Sequence, residues 1–141
     1  MKEHGNFPKE TVQPILLAGR FCRANYAETF QAYNPATGEK LPELYPVSEW
    51  SDLKKALEES RKAVPDLAES PAEKIAGFLR LYADLLEKNQ ETIISQAHLE
   101  TALPLESRLK NTEFPRMINQ MRQAAEAVEE RSWMQAIIDT K

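Results

Sequence analysis

Phe30-Gln31-Ala32-Tyr33-Asn34-Pro35-Ala36-Thr37-Gly38-Glu39 is the stretch from which the rest of the chain is best read. With Glu28 and Thr29 before it, its first part alternates polar and apolar side chains, the period of a strand. Its second part is a tight turn with a mechanism. Pro35 presets the φ of the first turning residue, and Gly38 supplies a positive φ at the exit. Lys40 to Val47 then resumes an extended course, and Pro42 and Pro46 within it predict an edge strand. Upstream, Ile15-Leu16-Leu17-Ala18 reads as a short strand, Gly19-Arg20 as a turn and Phe21-Cys22-Arg23 as the return strand. Residues 1–14 carry charges and two prolines, Pro8 and Pro14, and read as a loose arm.

Downstream of Ser48 the period becomes helical. Trp50, Leu53, Leu57 and Val64 share one face, and Leu67 extends it past Pro65, which is expected to kink or end the helix. Ser70-Pro71-Ala72-Glu73 predicts the next helix start: a capping serine, a proline at the first helical position and a glutamate three residues after the cap. Ile75, Phe78, Leu79, Tyr82, Leu85 and Leu86 then form an apolar stripe. Gly77 lies inside this helix at a cost of about 1 kcal/mol relative to alanine, which suggests a close helix contact there. Asn89 is expected to break the helix. A shorter one follows with Ile93, Ile94 and Ala97 inward, ending near Ala102-Leu103-Pro104. The last long pattern, Phe114 to Val128, sets Phe114, Met117, Ile118, Met121, Ala125 and Val128 on one face. Trp133 to Ile138 reads as the start of a strand.

The expected fold class is therefore α+β and mostly helical, with N-terminal β-hairpin strands followed by three to five amphipathic helices. The expected organisation is an arm over 1–14 and one domain over 15–141, divided into a β-hairpin region (15–47), a helical region (48–130) and the start of a strand (131–141).

The bulk chemistry narrows the function classes. The net charge of -4 is shared equally by residues 1–70 and 71–141, so no basic face or tail exists to neutralise phosphates. Nucleic acid is not an expected partner. The first residues, Met1-Lys2-Glu3-His4-Gly5-Asn6-Phe7-Pro8, have no apolar core of the signal-peptide kind, and the longest apolar run, Ile15 to Ala18, is too short to span a bilayer. Cys22 is the single cysteine, which fits a reducing compartment. The expectation is a cytoplasmic protein with no membrane partner.

Catalytic groups are sparse. Phosphate-cradling loops need clustered glycines so that backbone N–H groups can approach the ligand. The four glycines, Gly5, Gly19, Gly38 and Gly77, are each more than ten residues apart. Cys22, between Phe21 and Arg23, reads as an ordinary strand residue rather than an activated thiol. His4 and His98 share no metal-ligand spacing, and His98 reads as a satisfied structural histidine. The run Glu126, Glu129, Glu130, Arg131 reads as solvated helix surface. One polar stripe stands out: Arg116, Gln120 and Gln123, at i, i+4 and i+7, opposite the apolar face of the last helix. From spacing alone a solvated face is the favoured reading, and a carboxylate-binding or pocket-lining surface is the alternative.

The order of these features resembles the amino-terminal part of the NAD(P)-dependent aldehyde dehydrogenase superfamily. The Asn34-Pro35-Ala36-Thr37-Gly38-Glu39 turn is similar to its usual opening signature, and Glu100-Thr101-Ala102-Leu103-Pro104 to its next landmark, with Ala102 where glycine is most frequent. Pro104-Leu105-Glu106-Ser107-Arg108-Leu109, Glu113-Phe114-Pro115-Arg116, Gln120-Met121-Arg122, Ser132-Trp133 and Ile138-Asp139-Thr140 resemble the NADP-preferring branch that includes α-ketoglutaric semialdehyde (2,5-dioxovalerate) dehydrogenases. The resemblance runs from about Pro14 to the last residue.

The resemblance implies a partial aldehyde dehydrogenase fold with an incomplete α/β cofactor domain. It places the first hairpin with the oligomerisation elements, the helices against the cofactor domain, and the helix from Phe114 to Val128 beside the substrate entrance. That strengthens Arg116, Gln120 and Gln123 as a substrate-side surface. The family's dinucleotide-binding glycines, glutamate base and nucleophilic cysteine have no counterpart among these residues, and Cys22 does not match the catalytic position. No catalytic, cofactor-binding or metal residue is assigned. NADP or NAD and a small-molecule aldehyde are implied for a full-length parent, with no cofactor expected on this chain alone. The chain is expected to be an inactive fragment. The alternative is a stand-alone helical interaction module that associates with itself or with intact homologous subunits.

Overall fold

The computed structural model describes residues 12–131 together with Met134. The expected strand at Trp133 to Ile138, and most of the expected arm, lie outside the described residues. The chain divides into two units, Met1–Ala68 and Glu69–Lys141.

The first unit holds two antiparallel strand pairs and one helix. β1 (Ile15–Leu17) pairs with β2 (Arg20–Cys22), setting Leu16 opposite Phe21. The turn falls at Ala18-Gly19, one residue earlier than expected, and the return strand shifts with it. A two-residue hairpin turn matched to strand twist needs positive φ at both positions, and Ala18 (+50°) and Gly19 (+74°) supply it. β3 (Tyr26–Phe30) pairs with β4 (Tyr45–Ser48), with Thr29 opposite Pro46 and Phe30 opposite Tyr45. The Phe30 and Tyr45 rings stack with centroids 5.5 Å apart. This two-stranded sheet gives Pro46 the edge position that its missing N–H requires. β3 ends at Phe30 rather than Tyr33, which forms only an isolated bridge to Lys40.

The Asn34–Glu39 turn forms as its residues dictate. Gly38, at φ +73°, donates its N–H to the Asn34 carbonyl at 2.7 Å, and the Ala36 N–H donates to the Asn34 side chain at 2.9 Å. Val12 bridges Leu44 and the Gln13 N–H donates to the Leu44 carbonyl at 2.8 Å, so the end of the expected arm is tied down.

α1 (Trp50–Ala68) runs three residues beyond Pro65. Proline's φ suits a helix, and the one bond it cannot donate, to the Arg61 carbonyl, is lost without ending the helix at once. Among the described residues of α1 only Asp52 is buried. Trp50, Leu53, Leu57, Val64 and Leu67, the expected apolar face, are all exposed.

The second unit is helical: α2 (Ala72–Lys88), α3 (Gln90–Thr101), a π-helix (Leu105–Glu113) and α4 (Phe114–Glu130). α2 begins one residue later than expected. Pro71 is the cap, with an extended ψ of 148°, and its carbonyl accepts from the Lys74 N–H at 3.0 Å. Ala83, Ile94, Leu109, Phe114 and Ile118 make the core, with Leu86, Ile93, Ala97, Leu105, Met117 and Met121 packed against it. α3 and α4 thus bury the faces their patterns predict. α2 does so only in part. Of its expected stripe, Leu86 packs against the core and Ile75 and Leu79 are half-buried. Phe78 (64% exposed), Tyr82 and Leu85 face outward beside Leu81, and the buried residues are Ala72, Ala76 and Ala83. At 100° per residue the alanine line and the aromatic line lie on opposite sides of the helix. Gly77 is on the outer side too. A Cβ there would meet nothing within 4 Å, so the expected close helix contact is absent.

The π-helix was not anticipated. Its register matches the core. Leu109 and Phe114 are buried and Leu105 packs beside them. In an α-helix, residues nine apart point about 180° from one another, so Leu105 and Phe114 could not share a face. Widening to i→i−5 bonds, seen from Leu109 N–H to the Pro104 carbonyl and from Phe114 N–H to the Leu109 carbonyl, brings all three leucine and phenylalanine side chains to one side.

Candidate functional site

α4 presents its inner line, Phe114, Ile118 and Ala125, to the core. The outer side is consequently polar, and Arg116, Gln120 and Gln123 are all exposed on it. The helix brings the three expected residues onto one face. Arg116 is already engaged: its guanidinium donates to the Glu113 carboxylate at 2.5 Å. The other oxygen of Glu113 pairs with Arg108, also at 2.5 Å. Glu113 therefore sits between two arginines, and the cluster keeps one net positive charge beside two side-chain amides. Such a face can bind a carboxylate by charge-assisted hydrogen bonds. A cleft of about 220 Å³ beside α4 is lined by Asn119 and Arg122, not by the three stripe residues.

Arg108 and Glu113 escaped the reading of the sequence because they are five residues apart. That spacing separates two side chains by about 140° on an α-helix. Only the π register, invisible in helical periodicity, makes them neighbours.

Ion pairs flank the packing of α2 on α4. Arg80 is bidentate to Glu129 at 2.7 and 2.6 Å, and Arg122 reaches Glu87 at 2.6 Å and Asp84 at 3.2 Å. Glu129, expected as free surface, is thus part of this contact. Its hydrogen bonds from Arg80 hold its carboxyl below the usual glutamate range, and the same bonds push the Arg80 guanidinium up.

The remaining candidates have structural roles. His98 Nδ1 donates to the Leu103 carbonyl at 2.7 Å and closes the end of α3, where Ala102 adopts φ +55°. Cys22 is half-buried on β2, opposite Ile15. Gly19 and Gly38 serve the two turns, so the described glycines do not form a dinucleotide cradle. No described cluster of His, Cys, Asp or Glu could hold a metal ion. Among the described residues no helix is long and apolar enough to cross a membrane.

Residues 21–140 match the model of the aldehyde dehydrogenase family. The chain is 31% identical over 125 residues to α-ketoglutaric semialdehyde dehydrogenase 2 of Azospirillum brasilense, covering 88% of this chain and 23% of that protein. It is 32% identical over 120 residues to aminoacetaldehyde dehydrogenase of Pseudomonas aeruginosa, covering 83% of this chain and 24% of that one. Its fold is similar to that of an NAD-dependent benzaldehyde dehydrogenase from Corynebacterium glutamicum, with TM-score 0.74 and 19% identity over 88% of this chain and 26% of that one. The chain spans about a quarter of the length of the relatives it matches.

Proposed function

The chain belongs to the aldehyde dehydrogenase family, and on that footing we propose that it is the amino-terminal segment of an enzyme oxidising an aldehyde to an acid with NADP or NAD. The observation that carries this is the family match over residues 21–140, joined to coverage of only about a quarter of each relative. The described residues do not fit a nicotinamide dinucleotide, since the glycines that cradle its phosphates are not among them. The cofactor and the thiol that would attack the aldehyde belong to parts of the fold outside this segment. The segment alone is inactive. NADPH or NADH formation by the purified chain with any aldehyde overturns that.

The contribution of this segment to the reaction is the outer face of α4. Arg116 pairs with the carboxylate of an acidic semialdehyde substrate, and Gln120 and Gln123 donate to its oxygens. The similarity to an α-ketoglutaric semialdehyde dehydrogenase and the exposed cation on this face support the reading. Placed in a full-length enzyme that carries this segment, Arg116→Ala should raise KM for an acidic aldehyde about tenfold to a hundredfold, the worth of one charge-assisted hydrogen bond. Turnover of a neutral aldehyde should not change. Equal behaviour toward both substrates removes Arg116 from the site.

The outward apolar lines of α1 and α2 favour a second reading, a helical interaction module that binds intact family subunits. Co-elution of the chain with an intact homologue supports it, and separate elution removes it.

A further inference from the structure

The π-helix contains two side-chain contacts that its register alone permits. Thr112 Oγ1 donates to the Ser107 carbonyl at 3.0 Å, and Arg108 pairs with Glu113; both span five residues. Glu113 is the last residue of the π-helix, and it also holds Arg116 in the first turn of α4. With only about a quarter of its side chain exposed, Glu113 is the most enclosed member of the cluster, while Arg108 and Arg116 remain more than half exposed.

We propose that Glu113 is a register lock at the junction of the π-helix and α4. Its Oε1 ties it back one π turn to Arg108, and its Oε2 ties it forward one α turn to Arg116. The ordinary alternative for these nine residues is an α-helix, because long π runs are rare. That alternative rotates Arg108 about 140° from Glu113 and moves Phe114 away from Leu105. Arg116 stays where α4 places it, so what the alternative breaks is the link through Glu113 between Arg108 and Arg116. The lock therefore joins the packing of Leu105, Leu109 and Phe114 to that link. The lock holds whether or not Arg116 meets a substrate.

Amide hydrogen exchange of the purified 141-residue chain tests it, read by NMR at Leu109 and Phe114, whose N–H groups make the i→i−5 bonds. Ala125, buried within α4, is the reference. In Arg108→Gln and in Glu113→Gln, exchange at Leu109 and Phe114 should rise about fivefold, as expected for a small ion-pair network, with Ala125 unchanged. The double variant should be no worse than Glu113→Gln alone. If a variant does not fold, the parent chain in 1 M salt replaces it, since the Debye length of about 3 Å there screens both pairs. Unchanged exchange at Leu109 and Phe114, or an equal rise at Ala125, overturns the lock and leaves the register to core packing alone.

Discussion

Asp52, in the first turn of α1, accepts two hydrogen bonds from Asn25: one from its backbone N–H at 2.6 Å and one from its side-chain amide at 2.9 Å. Asp52 is the buried charged residue among those described. It ties the segment between the two strand pairs to the start of the helix, where a carboxylate also meets the favourable end of the helix dipole.

Asp52→Ala should cost the first unit about 2 kcal/mol, because it leaves the Asn25 N–H without its acceptor and removes a charged hydrogen bond. Asp52→Asn, which keeps one acceptor, should cost less. Urea denaturation followed by circular dichroism checks the order. Equal stability of Asp52→Ala and the parent chain would show that water satisfies Asn25 at no loss.

The contact between α2 and α4 should weaken in acid. Arg80 holds the Glu129 carboxyl below its ordinary value. A carboxylate with a lowered folded pKa stabilises above its unfolded value, near 4.3, and that stability disappears as the pH falls through the lowered folded value. The protection factors of the buried Ala83 and Ala125 amides, with the intrinsic pH dependence of exchange divided out, should fall over that acid range. Glu129→Gln should remove this part of the pH dependence while leaving other carboxylates to titrate. An unchanged acid profile in Glu129→Gln would show that the Arg80–Glu129 pair contributes nothing to the acid response.

Two glycines should respond in opposite directions. Gly38 holds φ +73°, so Gly38→Ala should destabilise by about 1 kcal/mol. Gly77 lies mid-helix, and its new Cβ would meet nothing within 4 Å. Gly77→Ala should therefore stabilise by about 1 kcal/mol. Thermal melts of the two variants decide it. A loss of stability in Gly77→Ala would place a neighbour against that side of α2.

Local chemistry was readable from the residues. The turn at Asn34–Gly38 needs only proline, glycine and a short polar side chain, all within six residues. The inner face of α4 follows from one uninterrupted helical period. Non-local relationships were not readable. Nothing in the segment around Asn25 announces that its partner lies 27 residues on. The π-helix was hidden because an α period scatters Leu105, Leu109 and Phe114. α2 misled for a different reason. Periodicity identifies its large apolar line but not what covers that line, and the alanine line opposite proved to be the one α4 packs against. Of the α4 stripe, spacing located Arg116, Gln120 and Gln123 correctly on one exposed face, but not the glutamate that holds the arginine.

The outer face of α2 can be tested directly. A helix apolar on both sides is characteristic of an element enclosed on both sides. Here α4 covers the alanine side, while Phe78, Leu81, Tyr82 and Leu85 remain in water. Substituting Phe78 and Leu85 together by serine should cost little stability, because neither side chain is removed from solvent: Phe78 is 64% and Leu85 49% exposed. The same change should reduce binding of a hydrophobic dye and self-association, since an exposed apolar patch drives both. Ile118→Ala is the contrast. Ile118 is 3% exposed within the core and should lose about 2–4 kcal/mol. Dye fluorescence, sedimentation and urea melts on the three chains separate the cases. A large loss of stability in the Phe78/Leu85 variant would mean that those side chains are covered in solution. A drop in dye binding at unchanged stability would identify them as the open side of an enclosed helix.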